Sequence, residues 1–323
     1  MHPQPNPGKI NHPAGLINPI TMPNSIRMPG KDLLFRFLFE HNDIRGELVH
    51  LDDSWQAALQ RHGYPAPVRD LLGETMAATA LLGATLKHGA TLTLQIQGDG
   101  QVSLLVVQID NQTQLRGMAE YQGDIADGTL VDLCGHGYVT ITIDPADGNE
   151  RYQSINEIGR GTLARALDNY FQQSEQLNTR LWLAADDRCA AGLLLQELPP
   201  EITNTAMVQD KDAWNRILHL SDTLTADELR DLPVKEILKR LYHEEDVRIF
   251  DPETLFFHCN CSRERIANTL RGLGQDETRS ILEDEGVIAV ECSFCKKHYE
   301  FDSIDCEGLF TDTLPPDTGN IRH

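Results

Sequence analysis

The sequence predicts an α+β protein in three parts: an N-terminal domain of mixed helix and antiparallel sheet, a helical metastable linker, and a small C-terminal domain built around four cysteines. Three observations predict it. Stretches of alternating apolar and polar residues, such as Leu92-Thr-Leu94-Gln-Ile96, are joined by short turns and interleaved with helical patterns. Pro199-Pro200 then marks a change into an acidic segment with narrow apolar stripes. Finally, four of the seven cysteines form two close pairs, Cys259-Asn-Cys261 and Cys292-Ser-Phe-Cys295, thirty residues apart.

Residues 1–30 carry seven prolines and almost no periodic apolar pattern, which reads as a flexible tail. The N-terminal α+β domain is expected over 31–200. It opens with Phe35, Phe37 and Phe39 alternating as a strand, and Asp52-Asp53-Ser54 offers a helix start for Trp55 to Arg61. From Pro67 a long helical pattern runs through Val68, Leu71, Leu72, Met76 and Ala80 to Leu81-Leu82; it is apolar on most sides, so it belongs in a core. After Gly89 the period changes to two: Leu92 to Ile96, a turn at Gly98-Asp-Gly100, then a returning strand from Val102 to Ile109. Val139 to Ile143 is a further strand, Leu163 to Gln173 a helix, and Leu181–Leu183 and Leu193–Leu195 two more strands.

The linker is expected over 201–252. Trp214, Ile217 and Leu218 share one helix face, and Pro233 suits the start of a second helix carrying Val234, Ile237, Leu238 and Leu241. Helices this short are marginal alone in water, so the segment needs a surface to rest on.

Residues 253–303 form the expected small zinc domain with four cysteine ligands, followed by an acidic tail over 304–323. Two close cysteine pairs joined by a folded spacer supply the four sulfurs that tetrahedral zinc prefers, which makes Cys259, Cys261, Cys292 and Cys295 the candidate ligands of one Zn2+. Cys295-Lys-Lys-His-Tyr299-Glu-Phe301 reads as a turn before a short strand, and Val287-Ile-Ala-Val-Glu291 as its partner strand, which places the second pair at a hairpin tip. Lys296 stands where a turn with positive φ would favour glycine. His258, Arg263, Lys296 and Lys297 lie close in sequence to the sulfurs and are expected to favour thiolates. His298 is an alternative ligand, but four cysteines already fill the shell.

Composition narrows the function. A net charge of -21 disfavours a nucleic acid as the main partner. The longest apolar run, Met76 to Leu86, is too short for a membrane span, and no signal segment is visible, so the expected location is cytoplasmic. Thiols there are reduced at rest, and close pairs then suggest metal binding or redox sensing. Cys134-Gly-His136 reads as a turn with a core cysteine, Cys189 as structural, and Cys306 as a bystander to the four. No catalytic constellation or phosphate-binding loop is present in the sequence, and an enzyme is not expected.

The chain resembles the heat-shock protein 33 family, the redox-regulated bacterial holdase chaperones. The resemblance rests on the two cysteine pairs at this spacing, on Tyr64-Pro-Ala-Pro-Val-Arg-Asp-Leu-Leu-Gly73, on Leu94-Gln-Ile-Gln-Gly-Asp-Gly100 and on Gly137-Tyr-Val-Thr-Ile-Thr-Ile-Asp-Pro145. Tyr170-Phe-Gln-Gln-Ser-Glu-Gln176 and Thr179-Arg-Leu-Trp182 extend it. It implies that the four cysteines bind zinc in a reduced, inactive form. It also implies that oxidation pairs Cys259 with Cys261 and Cys292 with Cys295, releases zinc and unfolds the linker. The active form, dimeric by the same resemblance, would hold unfolding proteins without ATP.

Physical chemistry makes such a switch reasonable. A domain of about fifty residues is marginal unaided, and a structural zinc contributes about 10–16 kcal/mol, most of it folding energy. Two disulfides closing loops this small contribute only about 1.5–2 kcal/mol each on the chain-entropy estimate. Exchanging the metal for such disulfides should therefore unfold the domain. Two competing readings are a zinc-ribbon interaction module with a permanently structural metal, and a thiol-disulfide oxidoreductase using Cys292-Ser-Phe-Cys295. The second would want that motif at a helix N-terminus in a βαβ setting, whereas a hairpin is expected here.

Overall fold

The computed structural model describes residues 32–311 except 61, 87–88, 147, 149, 200–209 and 211. The expected N-terminal tail, the second proline of the Pro199-Pro200 boundary and the last twelve residues fall outside them.

In chain order the N-terminal region contains β1 (Leu33–Phe39), β2 (Ile44–Leu51), α1 (Asp53–Leu59), α2 (Ala66–Ala84), β3 (Thr91–Gly98), β4 (Val102–Asp110), β5 (Gln114–Tyr121), α3 (Leu130–Cys134), β6 (Gly137–Asp144), β7 (Tyr152–Glu157), α4 (Leu163–Tyr170), β8 (Thr179–Ala185) and β9 (Ala190–Glu197). The linker holds α5 (Ala213–Ser221), α6 (Ala226–Asp231), α7 (Val234–Tyr242) and β10 (Val247–Ile249). Beyond it come β11 (Glu253–Thr254), β12 (Phe256–Phe257), α8 (Arg263–Leu273), α9 (Gln275–Glu285), β13 (Ile288–Glu291), β14 (His298–Phe301) and α10 (Ser303–Thr311). The α+β class is as expected.

Two six-stranded sheets carry the N-terminal region. The first has the order β10-β1-β2-β9-β8, with β11 also paired to β1; the second has the order β12-β5-β4-β3-β6-β7. Helix α2 is buried along most of its length because it lies between the sheets, packed against strands of both. Its apolar surface all round, legible in the sequence, is what a helix between two sheets requires. Val68, Leu72, Met76 and Leu81 meet Leu94, Leu105 and Val107 of one sheet and Val49 and Leu194 of the other in one continuous core.

The outer face of the first sheet is also covered, which explains why β2 is buried at nearly every position. Phe37, Phe39, Leu48 and Leu193 pack there against Ile217, Leu229, Ile237, Leu241 and Tyr242 of the linker helices. The surface the linker needed is therefore this sheet, and among the described residues none beyond Val247 joins the cluster. Polar contacts add to it: His50 Nε2 donates to the Leu229 carbonyl at 2.6 Å, Trp182 Nε1 to Asp222 at 3.2 Å, and Arg188 pairs with Asp231 at 3.0 Å. Pro233 precedes α7, as the sequence suggested, whereas α6, capped by Thr225 and Glu228, was not read from it.

The turn at Gly98-Asp-Gly100 packs onto the Cys134-Gly-His136 segment. A Cβ on Gly98 would lie 1.9 Å from the Cys134 carbonyl oxygen, so only glycine permits the approach. Asp99 Oδ1 accepts from the His136 amide at 2.7 Å. Cys134 is fully buried, and burial alone pushes its thiol up to about 11, which suits an inert core residue.

Candidate metal centre

The first cysteine pair follows β12, and Ser262 closes it by capping α8: its hydroxyl accepts from the Arg265 amide at 3.2 Å. The thirty-residue spacer folds into α8 and α9, an αα-hairpin hinged at Gly274 with φ 95°. It returns the chain to β13, whose antiparallel pairing with β14 sets the second pair at the hairpin tip, as expected. There the Lys296 amide donates to the Cys292 carbonyl at 2.8 Å and the Cys292 amide to the Lys297 carbonyl at 3.0 Å. Lys296 does adopt a left-handed φ of 55°, the conformation in which glycine would be less strained.

The fold brings all four sulfurs together, within 4.8 Å of one another. Cys259 and Cys292 lie 3.7 Å apart and Cys261 and Cys295 3.4 Å apart. A tetrahedral zinc with sulfurs at about 2.3 Å sets neighbouring sulfurs about 3.8 Å apart, whereas a disulfide requires about 2.05 Å. The four-sulfur donor set therefore fits zinc. None of the seven cysteines forms a disulfide, and Cys134, Cys189 and Cys306 lie buried outside the group.

Burial pushes the Cys259 thiol up and that of Cys295 up to about 12. Burial also acts to raise Cys261, but bonds from the Tyr299 hydroxyl and the neighbouring thiols outweigh it and bring that thiol down to about 7. Tyr299 Oη donates to Cys261 Sγ at 3.2 Å. This neighbour was missed in the sequence, although the alternation along His298-Tyr-Glu-Phe301 turns Tyr299 and Phe301 inward. Three of the four basic residues expected to favour thiolates are engaged elsewhere. Lys296 pairs with Glu291 at 2.8 Å, Lys297 lies over the Tyr299 ring, and Arg263 bonds Asp305 and the Glu300 carbonyl at 2.6 Å. His298 faces solvent and pairs with Glu291 at 3.2 Å, outside the sulfur group.

The domain around the sulfurs has a thin core. Ala267, Leu270, Ile288, Tyr299 and Phe301 are buried together with Cys306 and Leu309. The last two belong to α10, so the first residues of the stretch expected as a tail form a helix packed into this cluster. Helix α9 buries only Thr278.

The domain rests on the edge of the second sheet. Strand β12 pairs in parallel with β5, and the His258 amide donates to the Leu115 carbonyl at 2.8 Å. His62 Nε2 donates to the Phe294 carbonyl at 3.4 Å. Among the described residues no helix is long and apolar enough to cross a membrane.

The family model described as Hsp33 protein matches residues 32–302. The chain belongs to the Hsp33 family. Its relatives in that family include a 33 kDa chaperonin of Methylobacillus flagellatus, 45% identical over 293 residues covering 90% of this chain and 99% of the relative. Another, from Nitrosococcus oceani, is 46% identical over 296 residues, covering 92% and 100%. The crystal structure of the 33 kDa chaperonin from Thermotoga maritima superposes with a TM-score of 0.73 at 21% identity, covering 86% of this chain and 97% of that one. Membership in the Hsp33 family is thus shown by sequence, and the fold agrees.

Proposed function

We propose that this Hsp33-family chain is an ATP-independent holdase chaperone, not an enzyme, switched on by oxidation of Cys259, Cys261, Cys292 and Cys295. The observation that carries the reading is the convergence of four sulfurs in a domain whose own apolar core is small. Zinc, when bound, supplies the folding energy that such a core lacks.

In the reduced form the four thiolates hold α8, α9 and the β13–β14 hairpin in one unit. Peroxide takes two electrons from each pair: one S–S bond forms, and one peroxide is reduced to two waters with uptake of two protons. The pairing of Cys259 with Cys261 and Cys292 with Cys295 follows the family resemblance. The resulting small loops stabilise far less than the metal did, so residues 253–303 unfold. The linker over 201–252 is the next part to loosen, because the chain enters the C-terminal domain directly from it. Its loss uncovers the face of the first sheet around Phe37, Phe39 and Leu193, an apolar patch fit to hold unfolding proteins. The N-terminal domain over 31–200 stays folded as the platform. The active form is expected as a homodimer in the cytoplasm, with no role for nucleic acid or membrane.

The test follows metal content, hydrogen exchange across 201–311 and suppression of aggregation of a heat-unfolded client, before and after peroxide. All three should change together and revert with reductant. Retained metal, or a C-terminal domain that stays protected after the metal has gone, would sink the proposal.

A further inference from the structure

One side chain of the N-terminal domain touches both cysteine loops. Arg116, half-buried on β5, is held on its own sheet by Gln108, whose Oε1 accepts from Arg116 Nε at 3.0 Å. Its Nη1 donates to Oδ1 of Asn260, the residue between Cys259 and Cys261. The guanidinium carbon lies over the ring of Phe294, between Cys292 and Cys295, at 4.5 Å from the centroid. The same two loop residues meet other groups of that domain: Asn260 Nδ2 lies 3.5 Å from Asp110 Oδ2, and the Phe294 carbonyl takes its bond from His62.

This arrangement differs from an ordinary interdomain contact in what it requires. Asn260 and Phe294 belong to loops separated by the whole αα-hairpin, and they are kept side by side by the shared sulfur centre, backed by the Arg263–Glu300 bond and the small apolar cluster. While they are held together, Arg116 engages the second loop at little extra entropic cost once it has engaged the first. When the loops part, a single guanidinium reaches one of them at most. The planar fork of arginine suits both halves of the task, donating at its edge and stacking on its face.

We propose that Arg116 is the positioning residue that makes docking of the C-terminal domain on the second sheet depend on the two cysteine loops being held together. This rests on the redox-switch reading for its biological meaning, but the docking role is a property of the reduced protein and is tested there. Undocking frees the Phe256 and His258 amides from the carbonyls of Thr113 and Leu115 and detaches β12 from β5.

The experiment is hydrogen exchange on the full-length, reduced, zinc-loaded protein carrying Arg116→Ala, Arg116→Lys or Asn260→Ala. Arg116→Ala should speed exchange at Phe256 and His258 by roughly ten- to a hundredfold, the range of a lost charge-assisted contact. The Cys292 and Lys296 amides of the hairpin tip should stay protected and zinc content unchanged. Arg116→Lys, which keeps the charge but not the fork, should fall between. Asn260→Ala removes one contact from the opposite side and reports the same loosening if Arg116→Ala proves poorly folded. Parental exchange at Phe256 and His258 in both alanine variants would overturn the proposal. So would loss of zinc and of hairpin protection together with the docking amides, since Arg116 would then support the sulfur site itself. If instead peroxide fails to release zinc from the parent protein, the redox reading falls while the docking result stands on its own.

Discussion

The two ends of the described chain solve the problem of staying folded in opposite ways. The N-terminal region buries a long apolar helix between two sheets, with Trp55, Leu72, Met76, Leu81 and Leu94 inaccessible to water. The C-terminal region covers a thin cluster with two polar helices and brings four sulfurs to one point. Hydrophobic burial is insensitive to redox state and hard to reverse locally, whereas a four-thiolate centre is open to oxidation of its sulfurs. On the proposed reading, a molecule with both has a fixed platform and a detachable part.

The largest effect that could break this contrast comes from metal removal. Chelating zinc from the reduced protein should cost the C-terminal domain about 10–16 kcal/mol of binding energy. Hydrogen exchange should then show loss of protection across 258–311 with β3, β4 and β6 intact, and collapse of both regions together would refute the division. Conversely, Met76→Ala, at a fully buried position of α2, should destabilise the N-terminal domain by about 2–5 kcal/mol in denaturant titration while leaving zinc stoichiometry unchanged.

A third effect sharpens the contrast through pH. Glu47 on β2 is buried, and its Oε2 has no hydrogen-bond partner among the described residues; desolvation raises its carboxyl to about 7 despite the nearby Arg45 and Arg36, and Glu253 adds to the rise. A carboxyl raised on folding is protonated more readily in the folded chain. Its stabilisation is full below its ordinary range near 4.5 and is lost as pH rises towards 7. Unfolding free energy should therefore fall by up to about 3 kcal/mol across that window, and Glu47→Gln should flatten the profile. The smallest effect lies in the linker. Tyr242 Oη and Ser221 Oγ share a bond at 2.7 Å, and Ser221 also bonds the Ile217 carbonyl at 2.6 Å. Tyr242→Phe should cost about 1 kcal/mol, read as faster exchange confined to α5 and α7.

Much of this organisation was legible in the sequence where periodicity is strong. The Leu92–Ile96 alternation and the apolar α2 pattern report burial directly, and the cysteine spacing reports the convergence of four sulfurs. Strand β7, Tyr-Gln-Ser-Ile-Asn-Glu, escaped notice because it is an exposed edge with Ile155 turned to solvent. Strand β5 carries Gly117 at its middle, where Leu72 and Met76 of α2 press close, and so lacks the usual alternation. Helices α8 and α9 bury too few residues to leave a clear stripe. At the sulfur site the four cysteines that converge were visible but their surroundings were not. Of the basic neighbours in sequence, Lys296 and Arg263 turned out to pair with carboxylates and Lys297 to lie over the Tyr299 ring, and Arg116 reaches Asn260 across 144 residues of chain. Proximity along the chain is a poor guide to which charge faces a thiol.

The short ribbon from Val247 to Phe257 hems both sheets at once. Its first strands close the outer side of β1, and its last closes β5. Wherever that ribbon is peeled away, each sheet is left with a bare row of amides and carbonyls along one selvedge, the kind of border to which another extended chain can be stitched.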